Sequence, residues 1–383
     1  MPIPIYMPSG YESRYALLGQ MSDEIAEAFR ADGHSVNPDG LIGDEPGIYL
    51  WLNFPPSIEA IPPAARAAGS MVGLAHFFVD HPYALDEALM DELCELPNYR
   101  LLLPCSDGAH LLGLRWPKLQ HKILLHGVPG SSVCARDECE SAGGERETDL
   151  VITGSIDDQE SLIKKRAMLP QQLQAPADEM AAMMFAQPWM PFEQALDVVL
   201  GARGVAAGDW PLAAAVWRYV TAALNRRRRI SIVTAMQGIE TDVWGAPSWE
   251  PHCTGSIRYR GSFDYSDSGQ ILKTAKVALA WGPTQFSHAF SERALLAMAA
   301  GCATVVDDRL LVRPRLGNGV ECFDAAQPAQ AHSIVRALLD EPKKRHALAD
   351  RGREIVSRNH LWANRVPMFI AAAAEAAATP ALC

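Results

Sequence analysis

The sequence predicts an α/β protein of two Rossmann-like domains facing a central cleft. Three observations carry that prediction. The chain has 383 residues, beyond the size at which a single core usually stops growing. Short β-branched or aromatic runs alternate with helical patterns through both halves, the signature of layered βαβ units. Between the halves, CARDECESAGGERET at residues 134–148 is charged, contains glycine and lacks apolar periodicity, so it reads as an interdomain linker. The expected domains are 1–147 and 148–365, with 366–383 a terminal helix packing back on the first domain.

In the first half the candidate strands are PIPIYM, GIYLWLNF, SMVGLAHFFV, YRLLLPCS and HKILLHG. Between the first two, Leu17, Leu18, Met21, Ile25 and Phe29 fall on one face at helical spacing. Gly33 stands where such a helix ends, because glycine accepts the left-handed conformation of a C-terminal cap. In the second half, TDLVITGS reads as a buried strand running into a glycine turn. Residues 157–229 read as helical, with Pro170, Pro176, Pro188, Pro191 and Pro211 as breaks or helix starts. RISIVTAM, SIRYRGSF and KVALAW read as strands and SGQILKTA as a helix. The basic run Arg226–Arg229 reads as the solvated end of a helix, where cations suit the carbonyl-rich terminus. HSIVRALLDE, KKRHALADRGREIVSR and the alanine-rich tail close the chain in helices.

Composition bounds the function. With 49% apolar and 21% charged residues, the chain has a soluble globular make-up. A net charge of −11 argues against nucleic acid as a partner, since such proteins show a basic face. The eight cysteines form no C-x2-C pair, and Cys134 and Cys139 stand in the charged stretch, so no metal is expected. Free thiols suit a reducing cytoplasm. The start, MPIPIYMPSGYESRY, lacks the basic and apolar segments of a signal peptide, and no run of about 18–20 apolar residues offers a membrane span. A cytoplasmic protein is expected.

The stretch FSHAFSERALLAMAAGCATVVDD, residues 286–308, carries the chemistry. A strand ends at Gly282 and Pro283, a polar loop follows, and a helix begins near Ser291 with Glu292 in its first turn. A helix start presents free amides and a positive dipole end, which together favour a phosphate. Ala294, Ala297, Ala299 and Ala300 let the helix lie close to a sheet, and Gly301 ends it before ATVV. Two readings stand together, a helix docked on a sheet and the floor of a phosphate site.

ERALLAMAAGCATVVDD resembles the signature of glycosyltransferases with the two-Rossmann GT-B fold, particularly the CgeB-like group. IRYRGSFDYSDSGQILKTAKVALAW and LLDEPKKRHALADRGREIVSRNHLWANRV extend the resemblance, which covers about residues 255–370. It implies that the C-terminal domain binds a nucleotide sugar. Gly154 and Ser155 would lie near the diphosphate or transferred sugar, the amides of Phe290 and Ser291 would meet phosphate oxygens, and Arg293 would add charge if it points inward. Many such enzymes carry two glutamates eight positions apart, the second holding the ribose. Here those positions are His288 and Leu296, and leucine accepts no hydrogen bond. Either Glu292, one turn earlier, takes the ribose, or the donor is held differently from the best-known members, or the site has lost its activity; His288 remains a candidate contact to phosphate or sugar.

By the same resemblance Tyr265, after the turn at Asp264, borders the nucleobase, and it equally reads as a turn residue covering the core. Gly238 approaches the ligand, while Trp244 reads as packing. The N-terminal domain would hold the acceptor and a general base. HFFVDHPYALDE ends a buried strand in Asp80 and His81, either of which can take a hydroxyl proton if its pKa is tuned toward neutrality. Asp107, His110, His126 and Gly127 repeat that pattern, and Asp80, His81 and His126 are the candidate catalytic residues.

The expected function is hexosyl transfer from a nucleotide-activated donor to an acceptor hydroxyl of a protein or glycan, without a metal and with no cofactor besides the donor. A sugar-nucleotide epimerase and a non-catalytic binding protein on the same fold are the alternatives.

Overall fold

A computed structural model of the chain describes residues 2–8, 16–37, 46–53, 58–67, 70–104, 106–125, 146–285 and 287–378. The chain divides into two compact units, one drawn from Met1–Ser132 and His360–Cys383, the other from Val133–Asn359. Most of the stretch read as a linker, along with Cys134, Cys139, His126 and Gly127, lies outside the described residues.

The first unit is a parallel sheet of β1 (Pro4–Tyr6), β2 (Ser35–Asn37), β3 (Gly47–Leu52), β4 (Val72–Phe77), β5 (Tyr99–Leu103) and β6 (Ile123–Leu125), in the order β2-β1-β3-β4-β5-β6. Every residue of β3, β4 and β5 is buried, as a parallel sheet covered on both faces requires. The helix Ala16–Ala31 buries Leu18, Met21, Ile25 and Phe29. It stops at Gly33, whose φ is +89°, with the His34 amide donating to the Phe29 carbonyl at 3.0 Å.

The terminal helix Val366–Ala378 belongs to this unit. Its backbone rests on β4 so closely that a Cβ on Gly73 would stand 2.4 Å from the Ala373 carbonyl oxygen. Phe369 packs edge-on to Phe77 with ring centroids 5.4 Å apart. Just before the helix, the Trp362 indole donates to Glu24 at 2.8 Å, so an otherwise unsatisfied buried N–H is paired.

The second unit is also a parallel sheet. Its strands are β7 (Thr148–Thr153), β8 (Thr241–Trp244), β9 (Ile257–Gly261), β10 (Ala275–Leu279), β11 (Ala303–Asp307) and β12 (Glu321–Phe323), in the order β12-β11-β10-β7-β8-β9. The chain runs outward from β7 to β9, returns to lay β10 against the other side of β7, and runs outward again to β12.

Two expectations fail in this unit, for one reason. RISIVTAM is not a strand: residues 210–235 form one helix, Trp210–Ala235. No glycine or proline interrupts it after Pro211, and Ile232 and Val233 pack into the sheet core from a helical face. Arg226–Arg229 therefore sits inside a helix instead of at its solvated end, and Arg229 is buried. The strand expected there is supplied by TDVW. Two three-residue strands, β2 and β12, escaped the sequence reading: SVN and ECF stand in no apolar run, unlike the equally short β1 and β6.

Candidate functional site

The order of reversal in the second sheet places a switch point between β7 and β10, where the loops leaving the two strands part in opposite directions. Ligands of open α/β sheets settle in that crevice, outside the carboxyl ends of the strands. The loop after β7 is Gly154-Ser155, and the loop after β10 runs from Gly282 to Ser291.

Gly154 has φ +129°, a conformation that side chains rarely adopt. A Cβ there would also stand 2.5 Å from Nη1 of Arg293 and 3.9 Å from Nη1 of Arg229. Gly245, after β8, approaches as closely: a Cβ on it would stand 2.1 Å from the Gly154 carbonyl oxygen. That carbonyl accepts from the Trp249 indole at 2.6 Å. The Ser155 hydroxyl accepts from the Ala246 amide at 3.1 Å, and the Ser155 carbonyl accepts from Arg229. The turn is fixed from three sides, and its open side faces guanidinium groups.

The second loop is pinned from below by a buried ion pair. Asp307, the last residue of β11, accepts from Arg309 Nε at 2.7 Å and from the Gly282 amide at 2.7 Å. Arg309 also donates to the carbonyls of Gly282 at 2.6 Å, Pro283 at 2.9 Å and Ala289 at 3.2 Å. Both side chains are only 4% exposed, so the pair is tolerable because its remaining hydrogen bonds are met. Thr284 is tied to Asn225 of the long helix through its amide and hydroxyl, at 2.9 and 2.7 Å. Arg228 donates to the Thr284 hydroxyl at 3.4 Å and to the Met184 carbonyl at 2.6 Å.

The helix Glu292–Ala299 starts from this loop. Ser291 is its N-cap in extended conformation, yet its side chain makes no cap hydrogen bond and its buried hydroxyl has no partner among the described residues. A serine cap ordinarily accepts from the first-turn amides. Here the Ala294 amide donates to the Ser291 carbonyl at 3.2 Å, and the amides of Glu292 and Arg293, which lack an acceptor in the regular helical pattern, stand with the hydroxyl where an external oxygen would meet them.

Two guanidinium groups approach the helix start. Arg293 turns inward over Gly154, and its Nε, 3.8 Å from Glu292, makes no hydrogen bond. Burial, and then the charge of Arg293, push the Arg229 guanidinium down to about 9. Burial, and then Arg309, push Arg228 down to about 10. Burial is the larger cause of both shifts, offset in part by Asp157 and Glu292 at Arg229 and by Asp307 at Arg228, and an arriving anion offsets more of it.

The other expected donor contacts separate. His288 lies in the pinned loop, its carbonyl accepting from Leu311 at 2.9 Å, and Phe290 is 2% exposed. Tyr265 follows β9 and packs, with Trp244 and Phe263, against a cluster that contains Leu296. Leu296 is itself sealed among Val151, Ile271, Leu272 and Ala278. Gly238 is not near the crevice: it precedes β8, at the amino end of the strands, where it closes the long helix with φ +85° and its carbonyl accepts from Arg336 at 2.6 Å.

In the first unit, Asp80 and His81 follow β4. Asp80 accepts from the His81 amide at 2.8 Å, and burial raises its carboxyl pKa. His81 is 4% exposed; its Nδ1 accepts from the Tyr83 amide at 3.3 Å and its ring stacks on Tyr83. It caps the turn Pro82–Ala84. His110 lies in the helix Ala109–Arg115.

Asn53 was not singled out by the sequence. It ends β3 with φ +49°, its side-chain oxygen accepts from Val79 at 2.7 Å, and its carbonyl accepts from His76 Nε2 at 2.6 Å. A carbonyl only accepts, so Nε2 carries the proton and Nδ1 accepts from the Tyr99 hydroxyl at 2.8 Å. The only foresight available was that asparagine tolerates positive φ.

The chain is similar to known proteins in sequence over part of its length and in fold over nearly all of it. Residues 226–371 match a family model described as glycosyl transferase-like. No curated protein matches the chain in sequence. Among solved structures, an α-glucosyltransferase complexed with UDP and DNA superposes with a TM-score of 0.56 at 8% identity, over 97% of this chain and 100% of that one. Sucrose-phosphate synthase from Thermosynechococcus elongatus gives 0.51 at 10% identity, over 96% and 98% of the two chains. T4 phage BGT, complexed with its UDP-glucose substrate, gives 0.51 at 10% identity, over 99% and 100%.

The fold these structures share with the chain is the two-sheet GT-B architecture. The stretch that matches the glycosyl transferase-like model begins in the second unit and runs into the terminal segment of the first.

Proposed function

We propose that the protein transfers a sugar from a nucleoside diphosphate donor to an acceptor hydroxyl, with the donor held by the second unit. One observation carries the reading: Arg229 and Arg293 converge on Gly154 beside a helix start whose cap hydroxyl is unused. The diphosphate lies between the two guanidinium groups and the first-turn amides, and Ser291 donates to one of its oxygens. Glu292 takes the ribose hydroxyls, since Leu296 offers none of the chemistry they need.

In the reaction, an acceptor oxygen forms a bond to the anomeric carbon as the bond from that carbon to the phosphate oxygen breaks. The electron pair leaves with the nucleoside diphosphate. The proton of the acceptor hydroxyl passes to a general base, for which Asp80 of the first unit is the candidate, its carboxyl pKa being raised by burial. Arg229, Arg293 and the helix dipole stabilise the departing charge in place of a divalent ion. Among the described residues no group of three or more histidine, cysteine or acidic side chains is arranged to hold a metal, and no helix is long and apolar enough to cross a membrane.

A net charge of −11 favours a protein or glycan acceptor over the DNA found with the α-glucosyltransferase. UDP-glucose is the first donor to try, because it is the substrate bound by T4 phage BGT. The test is release of nucleoside diphosphate from a panel of nucleotide sugars, with and without a mixture of glycan acceptors and in the presence of a chelator. Release that depends on acceptor and survives chelation supports the reading. A changed sugar without acceptor identifies an epimerase, and a silent panel identifies a binding protein.

A further inference from the structure

A second cavity, of about 810 Å³, opens in the second unit at the carboxyl ends of β11 and β12. Its walls are Trp189, from the segment joining the helices Gln171–Ala186 and Phe192–Leu200, with Leu310, His288, Asp308, Arg313 and Gln330. It shares the loop through His288 with the phosphate site, but its chemistry is different.

Carboxylates outnumber guanidinium groups here. Arg313 donates twice to Asp308, at 3.1 Å or less to each oxygen and 2.7 Å at the shortest. Arg309 is paired to Asp307. The Asp324 carboxylate accepts from the Ala326 amide and the Gln327 side chain, at 2.9 Å each. Each guanidinium thus has its own carboxylate at 2.7 Å, closer than the 3.8 Å between Arg293 and Glu292, so the cavity has no surplus cation to attract a phosphate. It offers hydrogen-bonding groups in fixed positions. Gln330 has its oxygen committed to the Asp324 amide at 2.6 Å, which orients its amide hydrogens as donors. Beside these groups stand two large apolar side chains left open, Trp189 at 38% and Leu310 at 65% exposure.

A ligand that matches is neutral, rich in hydroxyls, and has an apolar face to lay on an indole. A pyranose ring has those properties, its C–H face packing on an aromatic ring and its edge hydroxyls pairing with carboxylate, guanidinium and amide groups. The volume falls within the roughly 300–1,000 Å³ of pockets that enclose drug-sized ligands, room for an oligosaccharide and more than a single ring needs.

We propose that this cavity is a subsite for a neutral oligosaccharide, the glycan chain of the acceptor, separate from the nucleotide anchor. Its assignment to the acceptor rests on the transferase reading; its preference for a neutral saccharide rests on the cavity alone.

The test uses the full chain. An array of neutral oligosaccharides of two to four residues is screened, and the strongest binder is titrated by calorimetry against wild type, Trp189→Ala, Leu310→Asp and Gln330→Ala, each checked for an unchanged melting temperature. A neutral oligosaccharide that binds, loses at least tenfold in affinity with Trp189→Ala or Leu310→Asp, and is not displaced by UDP supports the subsite. A silent array, binding indifferent to all three variants, or displacement by UDP overturns it. A parallel titration with nucleotide sugars separates the two claims: saccharide binding with nucleotide silence overturns the transferase reading alone, and nucleotide binding with a silent array overturns the subsite alone.

Discussion

The guanidinium of Arg293 fills the space that a side chain on Gly154 would need, with Nη1 2.5 Å from the position of such a Cβ. Residues 139 positions apart in sequence thus form one surface, and each constrains the other. Gly154→Ala has to displace Arg293 and to adopt φ +129° with a side chain, at a cost of about 1–3 kcal/mol in backbone strain. The expected outcome is a lower melting temperature together with weakened nucleotide binding, measured by differential scanning calorimetry and by titration with UDP.

Arg293→Ala leaves the fold intact, because its Nε makes no hydrogen bond to lose. Removing one charge-assisted contact to phosphate costs roughly 1.5–3 kcal/mol, a tenfold to hundredfold weaker Kd. Wild-type affinity also falls with added salt, and the variant falls less steeply. Titrations at two ionic strengths check both statements.

Asp80→Asn removes the proposed base and spares the donor site. Turnover is expected to drop about 10²–10⁴-fold with nucleotide affinity unchanged. Because burial raises the Asp80 pKa and the ionised form is the base, kcat/KM falls as pH drops, beginning above the ordinary carboxylate range. A pH–rate profile shows the limb, and its loss in Asp80→Asn assigns it.

His76 predicts an acid limit to stability. Burial pushes its pKa down to about 3, against about 6.5 in an unfolded chain. Between those values the unfolded chain takes up a proton that the folded chain refuses, so stability falls with pH from about 6.5 to about 3, by up to about 1.4 kcal/mol per pH unit. Glutamine can serve both the Asn53 carbonyl and the Tyr99 hydroxyl without titrating. His76→Gln is therefore expected to flatten the pH dependence of the melting temperature.

How much of this was legible depended on whether a property is local. Five of the six strands of the first half and the strand–turn–helix at Ser291 were visible because apolar run, turn glycine and N-terminal polar residues lie within about ten positions of one another. The inward turn of Arg229 was not, because a run of four arginines before ISIV has the same local pattern whether it ends a helix or continues one. Only the packing of Ile232 and Val233 on the sheet settles the matter. The pinning of Gly282 by Asp307 and Arg309 was equally hidden, since it joins two loops through the sheet order. Leu296 was noticed as a departure, and its meaning became clear from its neighbours: the position is sealed in the core. Leu296→Glu consequently is expected to destabilise the protein by several kcal/mol through an unpaired buried carboxylate, visible as a lower melting temperature, instead of restoring a ribose contact.

The central claim is that Arg229 and Arg293 anchor a donor diphosphate without a metal. Calorimetric titration of the chain with UDP-, GDP-, ADP- and dTDP-sugars in a chelating buffer, beside the Arg229→Ala/Arg293→Ala double variant, tests it most directly. The account predicts that at least one donor binds the wild type under chelation and that the double variant loses about a hundredfold or more in affinity, roughly two charge-assisted contacts. A wild type that binds none of the donors, or a folded double variant that binds as tightly as wild type, would contradict it.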